Sequence, residues 1–202
     1  SAGFVNDLWQ RPVTDLGLPG PDKGQGGKYL VLGPGQAAPE GTQGYTVVQS
    51  TTFNNLWLVR LLAPEAAERE AMLAKIRLYP FSERAIAPAT KVISLGGGAS
   101  VANAPRGFAY WEKLSQRVNE EPVEARDRIM MGMLKSLGLE KGKPFQPDAR
   151  MEKILTDATL VGEAMAKAND YEKRYMPQAH YAEGSEWMFE LCLVPSQETE
   201  YY

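Results

Sequence analysis

The feature that most constrains this chain is a glycine- and proline-rich stretch at residues 17–29, which leads directly into a short apolar segment. Glycine accepts positive φ without a Cβ clash, and proline fixes its own φ and pushes the preceding residue toward extended geometry. Asp22 lies among these glycines, and aspartates in turns accept hydrogen bonds from nearby backbone N–H groups. The stretch therefore predicts an ordered, winding loop packed against a sheet, with Asp22 accepting backbone hydrogen bonds.

The charged and phenolic side chains in and beside this loop are the candidates for a functional site. They are Arg11, Asp15, Asp22, Lys28 and Tyr29. One interpretation is a rim that holds an anionic or polar ligand, with a carboxylate or tyrosine available for acid or base chemistry. The other is a structural turn whose charges face water, which is what such composition usually means. The pattern singles out these residues as ligand-binding candidates and assigns no catalytic residue.

Two segments of the sequence match nucleotide-binding motifs in part, and neither contains the full motif in its required context. Gly27-Lys28 is followed by Tyr29, whereas a phosphate-binding loop needs Ser or Thr at that position. Residues 33–38 spell G-x-G-x-x-A after an apolar segment, but Pro39, Gly41 and Gly44 follow instead of the helix that a dinucleotide fold requires. We therefore expect no nucleotide cofactor.

Composition excludes several further classes of protein. The chain has one cysteine, Cys192, and one histidine, His180, so an internal disulfide or a cysteine or multi-histidine metal site is not expected. The net charge of −3 argues against general nucleic-acid binding, and no apolar run is long enough to span a bilayer. His180 lies in a polar stretch, where we expect it to be solvated.

The periodicity of the chain predicts an α+β fold. Strands are expected at residues 4–10, 28–32, 45–51 and 56–62, with a further short one at 91–95 and another at 187–194. Their short spacing favours antiparallel pairing within part of a β-sandwich. The apolar residues on both sides of segments 28–32 and 56–62 predict strands covered on both faces. Three regions follow from this pattern: a β-rich portion at 1–62, a helical region at 63–178, and a strand with a linker at 179–202.

Four helices are predicted in the second region. The first starts near Pro64 and runs toward Pro80, with Met72, Leu73 and Ile76 on its buried side. The second starts at residues 103–105, and the third follows Pro122 and ends before Gly138, a natural C′ residue. The fourth is the longest and is capped by Asp148. The apolar faces of these last three helices, which include Trp111, Ile129, Met133, Ile154 and Leu155, are expected to meet in one buried layer.

Several short motifs together carry a resemblance to a known family. They include Trp9-Gln10-Arg11, the segment from Asp15 to Asp22, Gly26-Gly27-Lys28-Tyr29, Tyr79-Pro80, Tyr110-Trp111-Glu112, and the segment from Leu137 to Phe145. On these motifs the chain resembles the middle portion of the bacterial family called domain of unknown function 1254, often joined to domain of unknown function 1214. The resemblance implies an exported or periplasmic protein with β-sandwich domains joined by helices. It implies no settled activity and no catalytic residues.

The resemblance also implies more chain on both sides of these residues, so we expect this sequence to be an internal part of a longer two-β-domain protein. Its expected partners are the missing N- and C-terminal parts of the same polypeptide, and a homo-oligomer is left open. The strand edges near residues 4–10 and 56–62 should then face missing chain or a neighbouring molecule.

Two functions follow from the sequence. The first is binding or processing of a sugar or another polar small molecule, in which case Asp15, Asp22 and Lys28 should converge on a pocket. The second is a non-catalytic structural or ligand-binding module of the bacterial envelope. In that case most of the four tryptophans are core residues and one forms a ligand platform.

Overall fold

The structure is a computed structural model that describes residues 1–94 and 104–188 of the 202-residue chain. Its contacts divide the chain into two compact units, Ser1–Val101 and Ala102–Tyr202. The first unit contains all the strands described below, and the second contains three of the four α-helices. The α+β class predicted from the sequence is confirmed. The sandwich arrangement and the three regions bounded at residues 62 and 178 stay predictions.

The first unit contains five strands in two sheets. The strands are β1 (Ala2–Asp7), β2 (Pro12–Gly17), β3 (Lys28–Leu32), β4 (Tyr45–Gln49) and β5 (Asn55–Arg60). One sheet has the antiparallel order β2-β1-β5, and the other contains β3 and β4. Strand β2 was not predicted, because its sequence Pro-Val-Thr-Asp-Leu-Gly lacks a clear apolar alternation.

The pairing of β3 with β4 is parallel, which corrects the prediction of an all-antiparallel arrangement. Lys28 lies beside Tyr45 and Leu32 beside Gln49 in this register. Parallel neighbours require a connection that returns the chain to the same end of the sheet, usually a dozen or more residues. Residues 33–44 supply that length and are rich in glycine and proline instead of helical. The length of this segment is therefore compatible with a parallel connection, although its composition does not distinguish parallel from antiparallel pairing.

The core of the first unit is small and lies on one face of β1. Along this strand Gly3, Val5 and Asp7 point to the same side, and the buried positions alternate with half-buried ones. Buried apolar side chains from the other strands join Val5, namely Leu16, Leu30 and Leu32. Because β1 is the central strand of its sheet, the prediction that residues 4–10 form an open edge is wrong.

Strand β5 lies at the edge of its sheet, as predicted, but within the described part of the chain its side chains are largely exposed on both faces. Leu56, Trp57 and Leu58 are each more than a third exposed, and Val31 of β3 is exposed to a similar extent. The expectation that both strands are covered on both faces is therefore wrong for the described residues. Apolar residues on both sides of a strand reveal its composition, not whether anything packs against it. The expectation that the edge at β5 lies against missing chain or a neighbouring molecule stays a prediction.

The first helix, α1 (Ala66–Leu73), is shorter than predicted. It begins two residues after Pro64 and ends well before Pro80, and Leu73 is exposed while Met72 and Ile76 are half-buried. A short 3₁₀ turn follows at Phe81–Glu83. Residues 91–94 form no strand, which corrects the strand predicted at 91–95, whose last residue lies outside the described residues.

The second unit is built around the contact between two helices, α2 (Phe108–Glu120) and α4 (Ala149–Glu172). The indole N–H of Trp111 donates a 2.7 Å hydrogen bond to the carbonyl oxygen of Leu155. Val118, Leu139 and Leu155 are buried in this region. The predicted meeting of the Trp111 and Leu155 faces is therefore confirmed.

The third helix, α3 (Arg128–Ser136), does not join that buried layer. Ile129 is 80% exposed and Met133 61% exposed, so the prediction that Met133 is buried is wrong. Most of the predicted inner face of α4 is exposed as well, including Ile154, Val161 and Met165. Helical spacing correctly places these side chains on one stripe, but a stripe is buried only where another element covers it.

The predicted ends of the helices are largely confirmed. The Asp148 carboxylate accepts a 2.7 Å hydrogen bond from the Met151 N–H, which caps α4. Gly138 has φ of +85°, and the Leu139 N–H donates to the carbonyl of Leu134, which closes the end of α3. The remaining 3₁₀ turns in this unit are Ala125–Asp127, Lys173–Tyr175 and Pro177–Ala179. Of the strand predicted at 187–194, residues 189–194 lie outside the described residues, and Met188 forms a single bridge with His180.

Candidate functional site

Asp22 organises the glycine-rich loop, as its position among the glycines predicts. Its Oδ1 accepts hydrogen bonds from the Gly17 N–H at 2.8 Å and the Tyr29 hydroxyl at 2.5 Å, and its Oδ2 accepts from the Gly26 N–H at 3.0 Å. Gly17 and Gly26 both have positive φ. The carboxylate thus connects the end of β2, the middle of the loop and the start of β3.

This arrangement lowers the pKa of Asp22 and raises the pKa of Tyr29. The hydrogen bond from Tyr29, followed by those from the Gly17 and Gly26 amides, lowers the pKa of Asp22 below its usual value. Burial, together with the neighbouring carboxylate, raises the pKa of Tyr29 to about 12. At neutral pH the pair therefore consists of a carboxylate and a neutral phenol, because each shift stabilises that state.

The other three candidate residues lie apart from Asp22 and Tyr29. Lys28 points its ammonium group toward the ring of Tyr45, 5.6 Å from the centroid. Asp15 is exposed on β2, opposite Phe4 of β1. Arg11 forms a 2.6 Å ion pair with Asp7. The structure therefore brings two of the five candidates into direct contact, and none of the five lines either of the two cavities described below.

A buried polar network around Asp7 was missed from the sequence. The Asp7 carboxylate accepts from the Arg11 backbone N–H, from the Arg11 Nε and from the Thr51 hydroxyl, at 2.6–2.9 Å. Arg11 also donates to Thr51, at 2.7 Å. Ser50 and Thr52 on either side are buried too, and the Leu8 N–H donates to the Thr52 hydroxyl. Apart from Asp7 and Arg11, which are four residues apart, the partners are separated by 40 or 44 residues, so no local sequence pattern predicts the network.

An open cleft of about 400 Å³ lies beside this network, within the first unit. It is lined mainly by apolar and aromatic side chains and by two amide side chains: Val5, Val31, Phe53, Trp57, Leu78, Gln36 and Asn55. Phe53 is 58% exposed and Trp57 is 36% exposed, so both rings present surface to the solvent. A cleft with mostly apolar walls and a few placed polar groups is the usual form of a small-molecule site.

Each of the two amide side chains uses its oxygen within the protein. Gln36 Oε1 accepts a 2.8 Å hydrogen bond from the Gly33 N–H, and Asn55 Oδ1 accepts a 2.6 Å bond from the Ser50 hydroxyl. Asn55 Nδ2 makes only long contacts of 3.4 Å with two carbonyls, and Gln36 Nε2 donates to no acceptor within residues 1–94 and 104–188. The cleft therefore offers amide N–H donors beside aromatic rings.

A second concavity of about 360 Å³ lies between α1 and residues 89–92. Its lining includes Glu70, Leu73 and Arg77 and no aromatic side chain. The Arg77 guanidinium already donates to the carbonyls of Ala74 and Ile76. The cleft at Trp57 is therefore the better candidate site, because the Gln36 Nε2 donor has no acceptor among the described residues, the Asn55 amide makes only long hydrogen bonds, and the rings of Phe53 and Trp57 are exposed.

His180 lies in the second unit. We expected solvent around its ring, but both ring nitrogens face backbone carbonyl oxygens. Its Nδ1 lies 2.6 Å from the Ser185 carbonyl oxygen, and its Nε2 lies 3.0 Å from that of Arg174. The Arg174 carbonyl, then that of Ser185, raises the pKa of His180. Two acceptors facing both ring nitrogens favour the doubly protonated ring, since only that form donates from both.

Fold and cleft together define an α+β protein whose β-rich unit has an open, mostly apolar cleft. Residues 2–80 match the model of a family described as a protein of unknown function, DUF1254. This match supports the resemblance seen in the sequence over those residues, while the link to domain of unknown function 1214 and the placement as a middle portion stay predictions. A comparison with curated proteins finds no match. Among the described residues, no helix combines the length and apolar character needed to cross a membrane.

Proposed function

We propose that the β-rich unit is a ligand-binding module whose cleft at Trp57 holds a sugar or a similar polar small molecule. The observation that carries the proposal is the pairing of two exposed rings, Phe53 and Trp57, with the unused amide donor of Gln36 and the Asn55 amide, whose own hydrogen bonds are long at 3.4 Å. A sugar ring has one apolar face that packs on an aromatic ring and several oxygens that accept hydrogen bonds. A location in the bacterial cell envelope is part of the proposal and rests on the family resemblance alone.

Binding without catalysis is the form of the proposal that the geometry favours. Asp22, the loop carboxylate nearest to a tyrosine, is already engaged by three donors, and these hold its charge in place. Asp15 and Lys28 point to other surroundings, so the convergence expected of an acid–base site does not occur among these residues. An acid or base must reach the proton that it transfers, and none of these three groups lines either of the two clefts described above.

The proposal is tested by titrating the chain with a panel of neutral mono- and disaccharides, followed by isothermal calorimetry. At least one sugar should bind saturably. Trp57→Ala should weaken binding about tenfold or more, because a stacked aromatic contact and its buried area are lost. The matched control is Trp187→Ala, which removes a tryptophan that is 78% exposed in the other unit and should leave binding unchanged.

Two isosteric variants test the amide donors separately. Asn55→Asp and Gln36→Glu keep the oxygen that accepts within the protein but replace the N–H groups with a second acceptor. Each should weaken binding about tenfold, since an acceptor then faces the acceptor oxygens of the sugar. Absence of saturable binding across the panel, or equal affinities for Trp57→Ala and Trp187→Ala, would overturn the proposal.

A further inference from the structure

The ring of His180 lies between two segments of the second unit. The first is the 3₁₀ turn Lys173–Tyr175, which continues directly from α4. The second is the 180–188 loop, which is closed by an antiparallel bridge between its end residues. Nε2 of the ring lies 3.0 Å from the carbonyl oxygen of Arg174 in the first segment, and Nδ1 lies 2.6 Å from that of Ser185 in the second. One side chain therefore contacts the backbone of both segments.

The backbone between α4 and His180 defines the contact with Arg174. Two successive 3₁₀ turns, Lys173–Tyr175 and Pro177–Ala179, carry the chain from the helix to His180. The His180 N–H donates a 3.2 Å hydrogen bond to the carbonyl of Pro177, and Ala179 is fully buried. The ring is thereby returned to the end of the helical run. Carbonyl oxygens at such an end lack an intrahelical partner and favour a positive charge.

The 180–188 loop has hydrogen bonds of its own that do not involve the ring. The Tyr181 N–H donates to the carbonyl of Trp187 at 3.0 Å, and the Trp187 N–H donates to the Ser185 hydroxyl at 3.1 Å. The contact between Nδ1 and the Ser185 carbonyl is therefore one of several within the loop. The contact between Nε2 and the Arg174 carbonyl instead joins the loop to the end of the helical run.

One acid near the ring also favours its charged form. The carbonyls of Arg174 and then Ser185 raise the pKa of His180, and the Glu186 charge adds to them. The other charged or phenolic side chains of the two segments and of the end of α4 contact other groups or are exposed, namely Asp170, Tyr171, Glu172, Lys173, Arg174, Tyr175, Tyr181 and Glu183. Glu186 is therefore the side chain whose removal tests the electrostatics of the ring.

We propose that His180 is a pH-operated latch: the doubly protonated ring holds the 180–188 loop to the Arg174 carbonyl, and loss of one proton releases that contact. Carbonyl oxygens only accept, so both contacts are hydrogen bonds only when both ring nitrogens carry hydrogen. The neutral ring has one N–H and keeps it on Nδ1, because that contact is the shorter one and the loop's own bonds hold Ser185 in place. The lone pair of Nε2 then faces the Arg174 carbonyl, and the two repel each other.

The direction of the switch follows from the charge of the ring. The folded pKa of His180 lies above the ordinary value of 6.5, so the latch is closed below 6.5 and opens as the pH rises through the folded pKa. The loop carries Trp187, whose side chain is 78% exposed, so pH controls how firmly this exposed ring is held at the end of the helical run. The latch lies in the second unit and does not depend on the function proposed for the cleft at Trp57.

The test is an NMR titration of the full chain from about pH 5 to pH 9, a range that includes the charge change of a histidine. His180 is the only histidine, so its ring signals are unambiguous. The amide of Tyr175 shares a peptide group with the Arg174 carbonyl and should shift with the same midpoint as the ring. Above that midpoint, the ring ¹⁵N shifts should show the Nδ1–H tautomer. A Tyr175 amide that does not follow the ring, or an Nε2–H tautomer, would overturn the proposal.

Variants then separate the latch from general effects of pH. Glu186→Gln should lower the midpoints of the ring and of the Tyr175 amide together, by about 0.2–0.7 pH unit, the size expected for an exposed charge pair. The matched control is Glu183→Gln, which removes an exposed acid from the same loop and should leave both midpoints unchanged. His180→Phe should abolish the step at Tyr175, and circular dichroism verifies that each variant is folded. The proposal is wrong if the two midpoints differ in either glutamine variant, or if the step persists in His180→Phe.

Discussion

Removing the charge of Asp22 should loosen the glycine-rich loop without abolishing the fold of the first unit. In Asp22→Asn the side chain keeps one acceptor oxygen but loses its charge, and its amide group takes the place of an oxygen that accepts from an N–H. Gly17, Gly26 and Tyr29 are the three donors affected. The perturbation is therefore confined to known contacts of one side chain.

The magnitude follows from those three hydrogen bonds. A hydrogen bond to a charged group contributes about 1.5–3 kcal/mol when buried and less when solvent competes. Asp22 is half-buried, so values at or below the low end apply. We expect Asp22→Asn to lower the unfolding free energy by about 2 kcal/mol and Asp22→Ala by about 3 kcal/mol, since alanine leaves all three donors without their acceptor.

The assay is urea unfolding of the full chain combined with amide hydrogen exchange at Gly17 and Gly26. Exchange at these two amides should accelerate in both variants, while amides of the second unit should be unaffected. Asp15→Ala is the matched control, because it removes an exposed carboxylate from the adjacent strand and should change stability by less than about 0.5 kcal/mol. If Asp22→Ala changes stability no more than Asp15→Ala does, the carboxylate does not hold the loop.

The pH dependence of the same pair gives an independent check. The pKa of Asp22 is lowered on folding, so its contribution is complete above the unfolded value of 3.8 and is lost as the pH falls through the folded pKa. The pKa of Tyr29 is raised from 10.0 to about 12, so its contribution is complete below pH 10 and is lost as the pH rises toward 12. Tyr29→Phe should therefore remove the Tyr29 share of the loss of stability between pH 10 and 12.

Three further outcomes are expected. Leu155→Ala should cost about 2–5 kcal/mol in urea unfolding because the side chain is 1% exposed, whereas Met133→Ala, at 61% exposure, should cost less than about 1 kcal/mol. Gly26→Val should lower the melting temperature and cost about 1–3 kcal/mol, because φ is +83° while no atom lies within 4 Å of an added Cβ; an unchanged melting point would contradict this. The pKa of His180 is raised, so its stabilising contribution is complete below 6.5 and is lost as the pH rises through the folded pKa; NMR titration of the ring should show that raised value, and a value at or below 6.5 would contradict it.

Features that depend on a few neighbouring residues were predicted well from the sequence. The Asp148 cap, the positive φ at Gly138 and the backbone hydrogen bonds of Asp22 each involve partners within five residues. The ion pairs Lys153–Asp157 and Glu163–Lys167 are local in the same way, because each joins side chains four residues apart on α4. In the second pair, Arg106 and then Lys167 lower the pKa of Glu163 to about 2. Arg106 is 57 residues away, and no spacing indicated it.

Features that depend on what lies opposite an element were predicted poorly. The apolar stripe on α3 follows the helical period, yet Ile129 and Met133 are exposed because no described element covers them. The direction of pairing between β3 and β4 depends on the path of residues 33–44, and strands with the same composition pair in either direction. Periodicity identifies which residues share a face, whereas coverage depends on contacts between distant segments.

The cleft shows why the candidate site had to come from the structure. Val5 pairs with Trp57 and Asp7 with Asn55, so these two pairs are successive positions on one face of the β1–β5 ladder, about 7 Å apart along the strands. The first pair provides an apolar wall, and the second adds an amide next to the buried Asp7 network. Ser50 and Thr51 connect the ends of that second pair, because they bond to Asn55 and Asp7 respectively. The proposed ligand would meet an apolar surface at one position and the Asn55 amide at the next, which suits a molecule with one apolar face and one polar edge.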